Sequence, residues 1–197
     1  MPRRKPRSDG AQTRQEILDA AIRLIARGGL TTATQRKVAV EAEVSLAAIT
    51  YHFPAAADLI DAALERALEI YLQRLQDQRE AAVAGRISLV DACVASTRAE
   101  DGSVADVAIV TYDLLVNAIR TPALQGHVQV LVDSLQEFYA PWSPRQELTV
   151  AAFSTFLSLN LIHFATGGRQ EVAPQIAAMF DLFGITELVA AHQQSGR

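Results

Sequence analysis

The sequence predicts an all-α protein of about nine helices, with a three-helix head at the N-terminus and a larger helical body after it. Three observations lead to this prediction. Apolar residues recur three and four positions apart along most of the 197-residue chain, as they do on the buried face of a helix. No segment alternates apolar and polar residues in the manner of a strand. Glycine or proline interrupts the pattern between the helical segments.

Composition excludes several classes of protein. Hydrophobic residues make up 50% of the chain, so it can bury a core and is not disordered as a whole. The single cysteine, Cys93, permits no intrachain disulfide and no cysteine metal cluster. Residues 1–16 lack the apolar stretch of a signal peptide. We therefore expect a cytoplasmic protein.

Charge is distributed unevenly along the chain. Residues 1–54 hold nine Lys and Arg against five Asp and Glu, whereas residues 55–197 hold nine against 17. The net charges are +4 and −8. A basic front on an acidic body is typical of a protein that contacts a polyanion at one end. A basic tail that only aids solubility is the alternative.

The first helix is predicted to follow a flexible arm. Residues 1–12 contain two prolines, a glycine and several basic residues without apolar periodicity, so we expect a flexible basic arm there. Thr13 and Glu16 have the spacing of a capping box, which predicts a helix beginning at Thr13. Gly28 and Gly29 would end it.

Residues 34–53 have the pattern of a helix-turn-helix. Thr34 can cap a first short helix, because apolar residues at helical spacing follow it. Ser45 can cap a second, which Pro54 would end. Two helices of about two turns each, joined by a short turn, are what a DNA-reading motif needs, since the second must fit in a major groove.

These residues resemble the TetR family of bacterial transcriptional regulators. The resemblance covers roughly residues 13–65, and the rest of the chain matches the family only in length and helicity. It implies a DNA-binding domain over residues 13–56 and an effector-binding and dimerisation domain over residues 57–197. The residues that carry the resemblance are Ile17, Leu18, Ala20, Ala21, Gly28, Gly29, Thr34, Val38, Ala39, Ala42, Val44, Ser45, Ile49, Tyr51, His52, Phe53 and Leu59.

The resemblance implies a ligand-responsive DNA-binding regulator, most often a repressor, that binds a palindromic operator as a homodimer. Arg36 is the expected base-reading residue, because arginine can donate two parallel bonds to guanine. The basic arm would follow phosphates or enter the minor groove, or would have no role. For His52, a packed position at the helix end is the alternative to phosphate contact. The expected DNA-binding residues are Thr34, Arg36, Lys37, Ser45, Leu46, Ala47, Ala48, Thr50, Tyr51 and His52.

Five positions depart from the usual pattern of the family and bear on DNA affinity. Glu43 stands at the turn glycine, where a left-handed conformation could cost up to about 1 kcal/mol. Ala47 and Ala48 replace a small polar pair, so the second helix offers only apolar contact there, for instance to a thymine methyl. Thr50 replaces an aromatic residue, and Ala56 replaces a lysine. The alternative function is therefore a helical small-molecule-binding or interaction protein with impaired DNA binding.

The body is predicted to consist of six helices. A long one covers residues 58–84, and a turn is expected over residues 100–103. Residues 148–168 carry no charge, but polar residues spread around them argue for a helix buried in protein and against a membrane span. The other helices are expected at residues 89–99, 104–120, 123–139 and 172–191.

The two most apolar helices, at about residues 145–167 and 172–191, are expected to form a four-helix dimer interface, as the last helices do in the family. Polar groups on apolar helices also suggest a pocket for a small, mostly apolar effector. Core or interface positions are the alternative for each of these residues. The candidates are Tyr112, Asn117, Phe138, Trp142, Phe156, Asn160 and His163.

An enzyme is disfavoured by the sequence. The four histidines and Cys93 are scattered, and no nucleophile motif, phosphate loop or metal-ligand spacing is present. We therefore expect no catalytic residues, no metal and no cofactor.

Overall fold

The structure is a computed structural model that describes residues 10–98, 105–142, 145–167 and 171–195. Over these ranges the chain forms ten α-helices and three short 3-10 helices, and no β-strand. The predicted all-α class is confirmed, with ten α-helices in this part of the chain where about nine were expected. The expected turn at residues 100–103 lies outside the described residues.

The helices follow one another with short connections. The 3-10 helices are Leu30–Thr32, Pro122–Leu124 and Ala140–Trp142. The α-helices are α1 (Gly10–Gly28), α2 (Gln35–Glu41), α3 (Leu46–His52), α4 (Ala56–Val83), α5 (Leu89–Ser96), α6 (Asp106–Ala118), α7 (Gln125–Tyr139), α8 (Gln146–Ala165), α9 (Val172–Leu182) and α10 (Ile185–Ser195).

The start of α1 differs from the prediction. The helix begins at Gly10, so Thr13 lies inside it and the expected capping box is wrong. Residues 10–12, expected in the flexible arm, form the first turn, and Gln12 Nε2 donates to Glu16 Oε1 at 3.3 Å across that turn. Residues 1–9 lie outside the described residues. The end is as predicted, because Gly29 leaves the helix with φ of 81°.

The helix-turn-helix is formed as its caps predict. Thr34 Oγ1 accepts a bond from the Lys37 backbone N–H (3.4 Å), and Ser45 Oγ accepts one from the Ala48 N–H (3.1 Å). These bonds satisfy amides that the first turn of each helix leaves open. Between the helices, Glu43 has φ of 55°, which confirms the left-handed turn residue expected there.

The chain divides into two compact units between Leu68 and Glu69, within α4. We call residues up to Leu68 the head and residues from Glu69 the body. The head includes the first half of α4, where Arg66 donates to Gln15 Oε1 at 3.3 Å. Buried residues of the head core are Ile17, Leu18, Ile25, Val38, Ile49, Phe53, Leu59 and Leu64.

The core of the body lies where α5 packs on α9 and where α8 packs on both α7 and α9. Aromatic side chains make up much of this core. Each of them buries a large apolar area and so contributes strongly to the packing of the helices. The largest fully buried residues of this core are Tyr71, Leu114, Leu131, Tyr139, Trp142 and Phe156.

The last apolar segment is broken, which corrects the prediction of one helix over residues 172–191. Gly184 has φ of 69° and separates α9 from α10, and the two helices are bent by 81°. Because an L side chain rarely adopts that conformation, glycine permits the break. The nearby Asp181 carboxylate accepts a bond from the Thr186 hydroxyl at 2.6 Å.

One described helix, residues 147–165 of α8, is long and apolar enough to cross a membrane by length and composition. α9 and α10 pass the same test only when taken together, despite their bend. In the single chain, 33% of the apolar window in α8 is buried. Thr155, Ser158 and Thr166 donate to carbonyls one turn back in the helix, so their hydroxyls need no external partner.

Candidate functional site

The residues predicted to bind DNA lie on the helix-turn-helix and are mostly exposed. All ten belong to α2, α3 or their caps, and only Ala48 and His52 are half-buried. Tyr51 is 82% exposed and Leu46 41% exposed, which is unusual for large apolar side chains. The head thus presents α3 to solvent with an outward face of Leu46, Ala47, Thr50 and Tyr51.

Three arginines of α1 have structural partners. Arg23 Nε lies 2.9 Å from Glu41 Oε1, and Arg27 Nη1 lies 3.2 Å from Glu41 Oε2, which joins α1 to α2. The hydrogen bond from Arg23, followed by that from Arg27, lowers the pKa of Glu41 against the raising effect of desolvation. Arg14 lies over the ring of Phe53 at 5.2 Å.

Arg36 and Lys37 are the basic residues of the helix-turn-helix that remain available. Both are exposed at the start of α2, and within the described residues neither side chain makes an ion pair or a hydrogen bond. Gln35, beside them, is instead used internally, since its Nε2 donates to the Phe53 carbonyl at 2.7 Å. Two free cations at the front of the motif are suited to phosphate or guanine acceptors.

The polar residues of α3 are partly used by the helix itself. Thr50 Oγ1 lies 3.2 Å from both the Leu46 and the Ala47 carbonyl oxygens. His52 is half-buried between its neighbours, with its ring centroid 5.0 Å from that of Tyr51 and 6.4 Å from that of Phe53. This position is compatible with both of the roles considered for His52.

In the body, six of the seven predicted pocket residues are buried. Asn117 is the exception: it is half-buried, and its Nδ2 donates to the carbonyl and the carboxylate of Asp113. Tyr112 packs edge-on against Phe164, with the ring centroids 5.0 Å apart. The buried set is Tyr112, Phe138, Trp142, Phe156, Asn160 and His163.

Asn160 and His163 both have partners inside the body. Asn160 Nδ2 donates to the Phe156 carbonyl one turn earlier at 2.9 Å. His163 Nε2 lies 2.9 Å from a terminal nitrogen of Arg98, which follows α5 in the chain. The histidine therefore joins α8 to the end of α5, and its ring lies 5.8 Å from that of Phe164.

A cluster of buried hydroxyl and thiol groups occupies the body core. Tyr71 on α4, Cys93 on α5, Tyr112 on α6 and Tyr139 on α7 are each at most 5% exposed. Cys93 Sγ lies 3.5 Å from the Tyr139 hydroxyl. We call these four residues the hydroxyl cluster.

Two hydroxyls of the cluster have no partner among the described residues. The Tyr71 and Tyr112 hydroxyls are fully covered yet have no atom in hydrogen-bond geometry. Ser96 is the polar neighbour of Tyr71 and lowers its pKa, but its own hydroxyl donates to the Cys93 carbonyl at 2.8 Å. An unsatisfied buried polar group costs about 1–3 kcal/mol, so each of the two tyrosine hydroxyls would be stabilised by one further hydrogen bond.

The thiol and the three phenol groups of the cluster have raised pKa values. Burial raises the pKa of Cys93 to about 12, with the Tyr139 hydrogen bond acting in the opposite direction. Burial also raises the pKa of Tyr71, Tyr112 and Tyr139, and the proximity of neighbouring cluster members raises each further. The cluster is therefore neutral at physiological pH and acts through hydrogen bonds rather than charge.

A cavity of about 70 Å³ lies between α4 and α7 of the body. Leu72, Leu75, Gln76 and Arg79 line it from α4, and Ser134, Glu137 and Phe138 line it from α7. Phe138 thus joins the cavity to the predicted pocket residues. The volume is far below the roughly 300–1,000 Å³ of a site for a drug-sized ligand.

Comparison with known proteins agrees with this geometry. The family model described as bacterial regulatory proteins, tetR family, matches residues 17–63. A TetR-family structure from Streptomyces coelicolor A3 is 25% identical, covers 87% of this chain and 98% of that chain, and has a TM-score of 0.72. The head therefore matches the DNA-binding domain of the TetR family, and the chain is similar in fold to a TetR-family structure.

Two further TetR-like structures were determined with small molecules. Multidrug binding protein EbrR complexed with ethidium is 25% identical, covers 89% of this chain and 99% of that chain, and has a TM-score of 0.61. A protein from Saccharomonospora viridis in complex with choline is 22% identical, covers 88% of this chain and 96% of that chain, and has a TM-score of 0.65. No curated protein matches the sequence.

The head departs from the usual TetR pattern at several positions, and the structure shows where each of them lies. Glu43 adopts the left-handed conformation in place of glycine. Ala47 and Ala48 lie on α3, where the family usually has small polar residues, and Ala56 is the first residue of α4. The backbone of the motif is intact, so these substitutions change the surface chemistry of the TetR-family head and not its fold.

The hydroxyl cluster is not among the sites predicted from the sequence, because Tyr71 lies in the middle of the long helix predicted over residues 58–84. Its signal is weak, since a tyrosine on an apolar face usually finds a partner at its tip. Among the described residues, no three histidine, cysteine or acidic side chains are placed to hold a metal ion.

Proposed function

We propose that the protein is a ligand-responsive transcriptional repressor that binds a palindromic operator as a homodimer in the cytoplasm. One observation supports this most directly: the head of a TetR-family fold exposes α3 beside two unpaired cations, Arg36 and Lys37. An exposed short helix flanked by free positive charge suits a major groove bordered by phosphates.

The contacts in the DNA complex follow from chemistry and exposure. Arg36 would read guanine, because its fork matches the O6 and N7 acceptors. Lys37, Tyr51 and the Thr34 hydroxyl would bind phosphates. Thr50 would join them if its hydroxyl turns away from the helix carbonyls, and His52 if its ring turns outward. Leu46 and Ala47 would meet base edges, while Ser45 and Ala48 hold the start of α3.

A second copy of the chain is the proposed cover for α8 and α9. Leu161 and Ile162 on α8 are 44% and 49% exposed, and Leu182 at the end of α9 is 80% exposed. Removal of such apolar side chains from water is favourable, so their burial would stabilise a dimer. A twofold dimer would place two α3 helices about 34–36 Å apart, one turn of B-DNA, which is why a palindrome is expected.

The effector is proposed to bind in the body, near the hydroxyl cluster and the predicted pocket residues. The unsatisfied hydroxyls of Tyr71 and Tyr112 would donate to it, and Phe138, Trp142 and Phe156 would supply apolar walls. A small, mostly apolar molecule with one or two hydrogen-bond acceptors suits this lining. Ethidium in EbrR and choline in the Saccharomonospora viridis protein are precedents for small ligands in similar folds.

Binding would require movement of the body, because the described cavity between α4 and α7 is only about 70 Å³. A ligand that binds an expanded state better than the present one shifts the population toward it. Linkage then requires that the effector lowers operator affinity by the factor by which the operator lowers effector affinity.

Selection of bound sequences from fragmented genomic DNA tests the proposal. Purified protein at about 0.15 M salt suppresses binding that depends only on counterion release. A recovered palindrome, lost with the Arg36→Ala variant, would support the repressor and give its half-site spacing. Recovery of random fragments by both proteins would contradict specific DNA binding.

A binding module with an impaired head is the second candidate. The left-handed Glu43 and the alanines at positions 47 and 48 favour it, because they remove polar contacts and strain the turn. Titration of the selected DNA at low and at moderate salt discriminates the two functions. A preference that disappears as salt rises would favour the binding module.

A further inference from the structure

The start of the outward face of α3 has little hydrogen-bonding capacity. Leu46 and Ala47 are exposed there. The Ser45 hydroxyl caps the helix, and the Thr50 hydroxyl donates to carbonyls of its own helix at 3.2 Å. At this end of α3, the side chains of Leu46 and Ala47 therefore present carbon rather than donors or acceptors to a partner.

A base edge that matches this face must itself be apolar. In the major groove, thymine alone among the four bases carries such a group, its C5 methyl. The other edges present donors and acceptors, which an apolar side chain would desolvate without replacing their bonds. Arg36 and Lys37 are exposed on the preceding helix, and their positive charge favours a polyanion such as DNA as the partner of this face.

We propose that Leu46 and Ala47 determine specificity by packing against thymine C5 methyl groups, so that each half-site is read by methyl position as well as by the Arg36 hydrogen bonds. This inference rests on the proposed DNA-binding function. On this inference, Leu46 and Ala47 contribute to the sequence preference. Without it, the absence of polar side chains at the start of α3 would indicate only weaker DNA recognition.

Deoxyuridine tests this reading directly, because it pairs with adenine as thymidine does and lacks only the methyl group. The probe is the duplex recovered by the genomic selection, with each half-site thymine replaced in turn. We expect about a fourfold loss of affinity for each contacted methyl group, the value that burial of one carbon provides. Replacement of flanking thymines outside the half-sites should change nothing.

A variant locates the contact. Leu46→Ala should reduce the ratio of affinities for the thymine and uracil duplexes to near one at a single position, while the ratios at the other positions stay at their wild-type values. Val130→Ala is the matched control, since Val130 is a half-exposed residue of the body, and it should keep the full ratio.

The outcomes separate the inference from the proposed function. Equal affinity for thymine and uracil duplexes at every position, with specific binding retained, would overturn methyl reading alone. Failure of the thymine duplex to compete better than random DNA would overturn the proposed function itself. A uracil effect that Leu46→Ala leaves unchanged would assign the methyl contact to another residue and overturn the role of Leu46.

Discussion

Arg23 on α1 holds the Glu41 carboxylate at the end of α2, with 2.9 Å between Nε and Oε1, and Arg27 approaches the second oxygen at 3.2 Å. These bonds lower the pKa of Glu41 below its ordinary value of 4.5. A group with a lowered folded pKa contributes stability above its unfolded pKa, and that contribution is lost as the pH falls through the folded pKa.

The head should therefore lose stability in acid partly through Glu41. From about pH 5 down to about pH 3, the midpoint of thermal unfolding should fall more steeply for the wild type than for Glu41→Gln, which has no carboxylate to protonate. Circular dichroism melts at each pH measure both slopes. Glu65→Gln, an exposed change in the same unit, should retain the wild-type slope, and identical slopes for all three proteins would contradict the assignment.

Glycine at the turn should stabilise the head. Glu43 has φ of 55°, and its exposed side chain makes no described bond. Glu43→Gly removes the steric cost of the left-handed conformation and should raise the free energy of unfolding by about 0.5–1 kcal/mol. Glu43→Ala keeps that cost and is the control. Chemical denaturation distinguishes them, and a Gly variant no more stable than the Ala variant would show the turn to be unstrained.

Arg36→Ala should weaken operator binding by about 1–3 kcal/mol and relax the preference at one base pair in each half-site. Lys37→Ala should instead weaken binding to all sequences alike and reduce the salt slope by about 1. Competition with single-base operator variants measures both effects. If Arg36→Ala loses the same affinity on random DNA, its role is a phosphate contact.

Removal of an unpartnered hydroxyl from the body should stabilise the ligand-free protein. Tyr71→Phe and Tyr112→Phe each delete a buried group with no described partner, so each should raise the free energy of unfolding by about 1 kcal/mol. Tyr139→Phe deletes a hydroxyl that has Cys93 at 3.5 Å and should show no such gain. Denaturant titration provides the values. Destabilisation by the first two variants would mean that water already satisfies these hydroxyls.

A charge at the end of α9 should separate the proposed dimer. Leu182→Glu places a carboxylate where the partner is expected, and loss of one buried leucine, about 1.5–3 kcal/mol, corresponds to at least a tenfold weaker dimer. Ile119→Glu is the matched control, because Ile119 is also 80% exposed but lies after α6. Sedimentation equilibrium measures the dimer dissociation constant. Equal effects of the two variants would place the interface elsewhere.

Local features of the fold could be predicted from the sequence because their causes lie within a few residues. Thr34 and Ser45 cap helices through bonds to amides three positions away, and Glu43 occupies a turn whose length demands a left-handed residue. The break at Gly184 was missed because one glycine in an apolar pattern costs a helix only about 1 kcal/mol, so tertiary packing decides the outcome.

The candidate site in the body was only half predictable. Tyr112, Phe138 and Asn160 attract notice as polar or aromatic residues on apolar helices. The hydroxyl cluster does not, because Tyr71 and Cys93 come from different helices and meet only in the packed core. Whether a tyrosine tip finds a partner depends on that long-range packing, which no local spacing records.

Trp142 gives the molecule an internal reporter. It is the single tryptophan of the chain, it is 2% exposed, and its ring lies 6.1 Å from that of Phe138. Its fluorescence emission therefore arises in the body alone and depends on the surroundings of an aromatic wall of the proposed ligand site. Because the indole belongs to the body, a change in its emission reports on the body, and the natural protein supplies this optical signal without any added label.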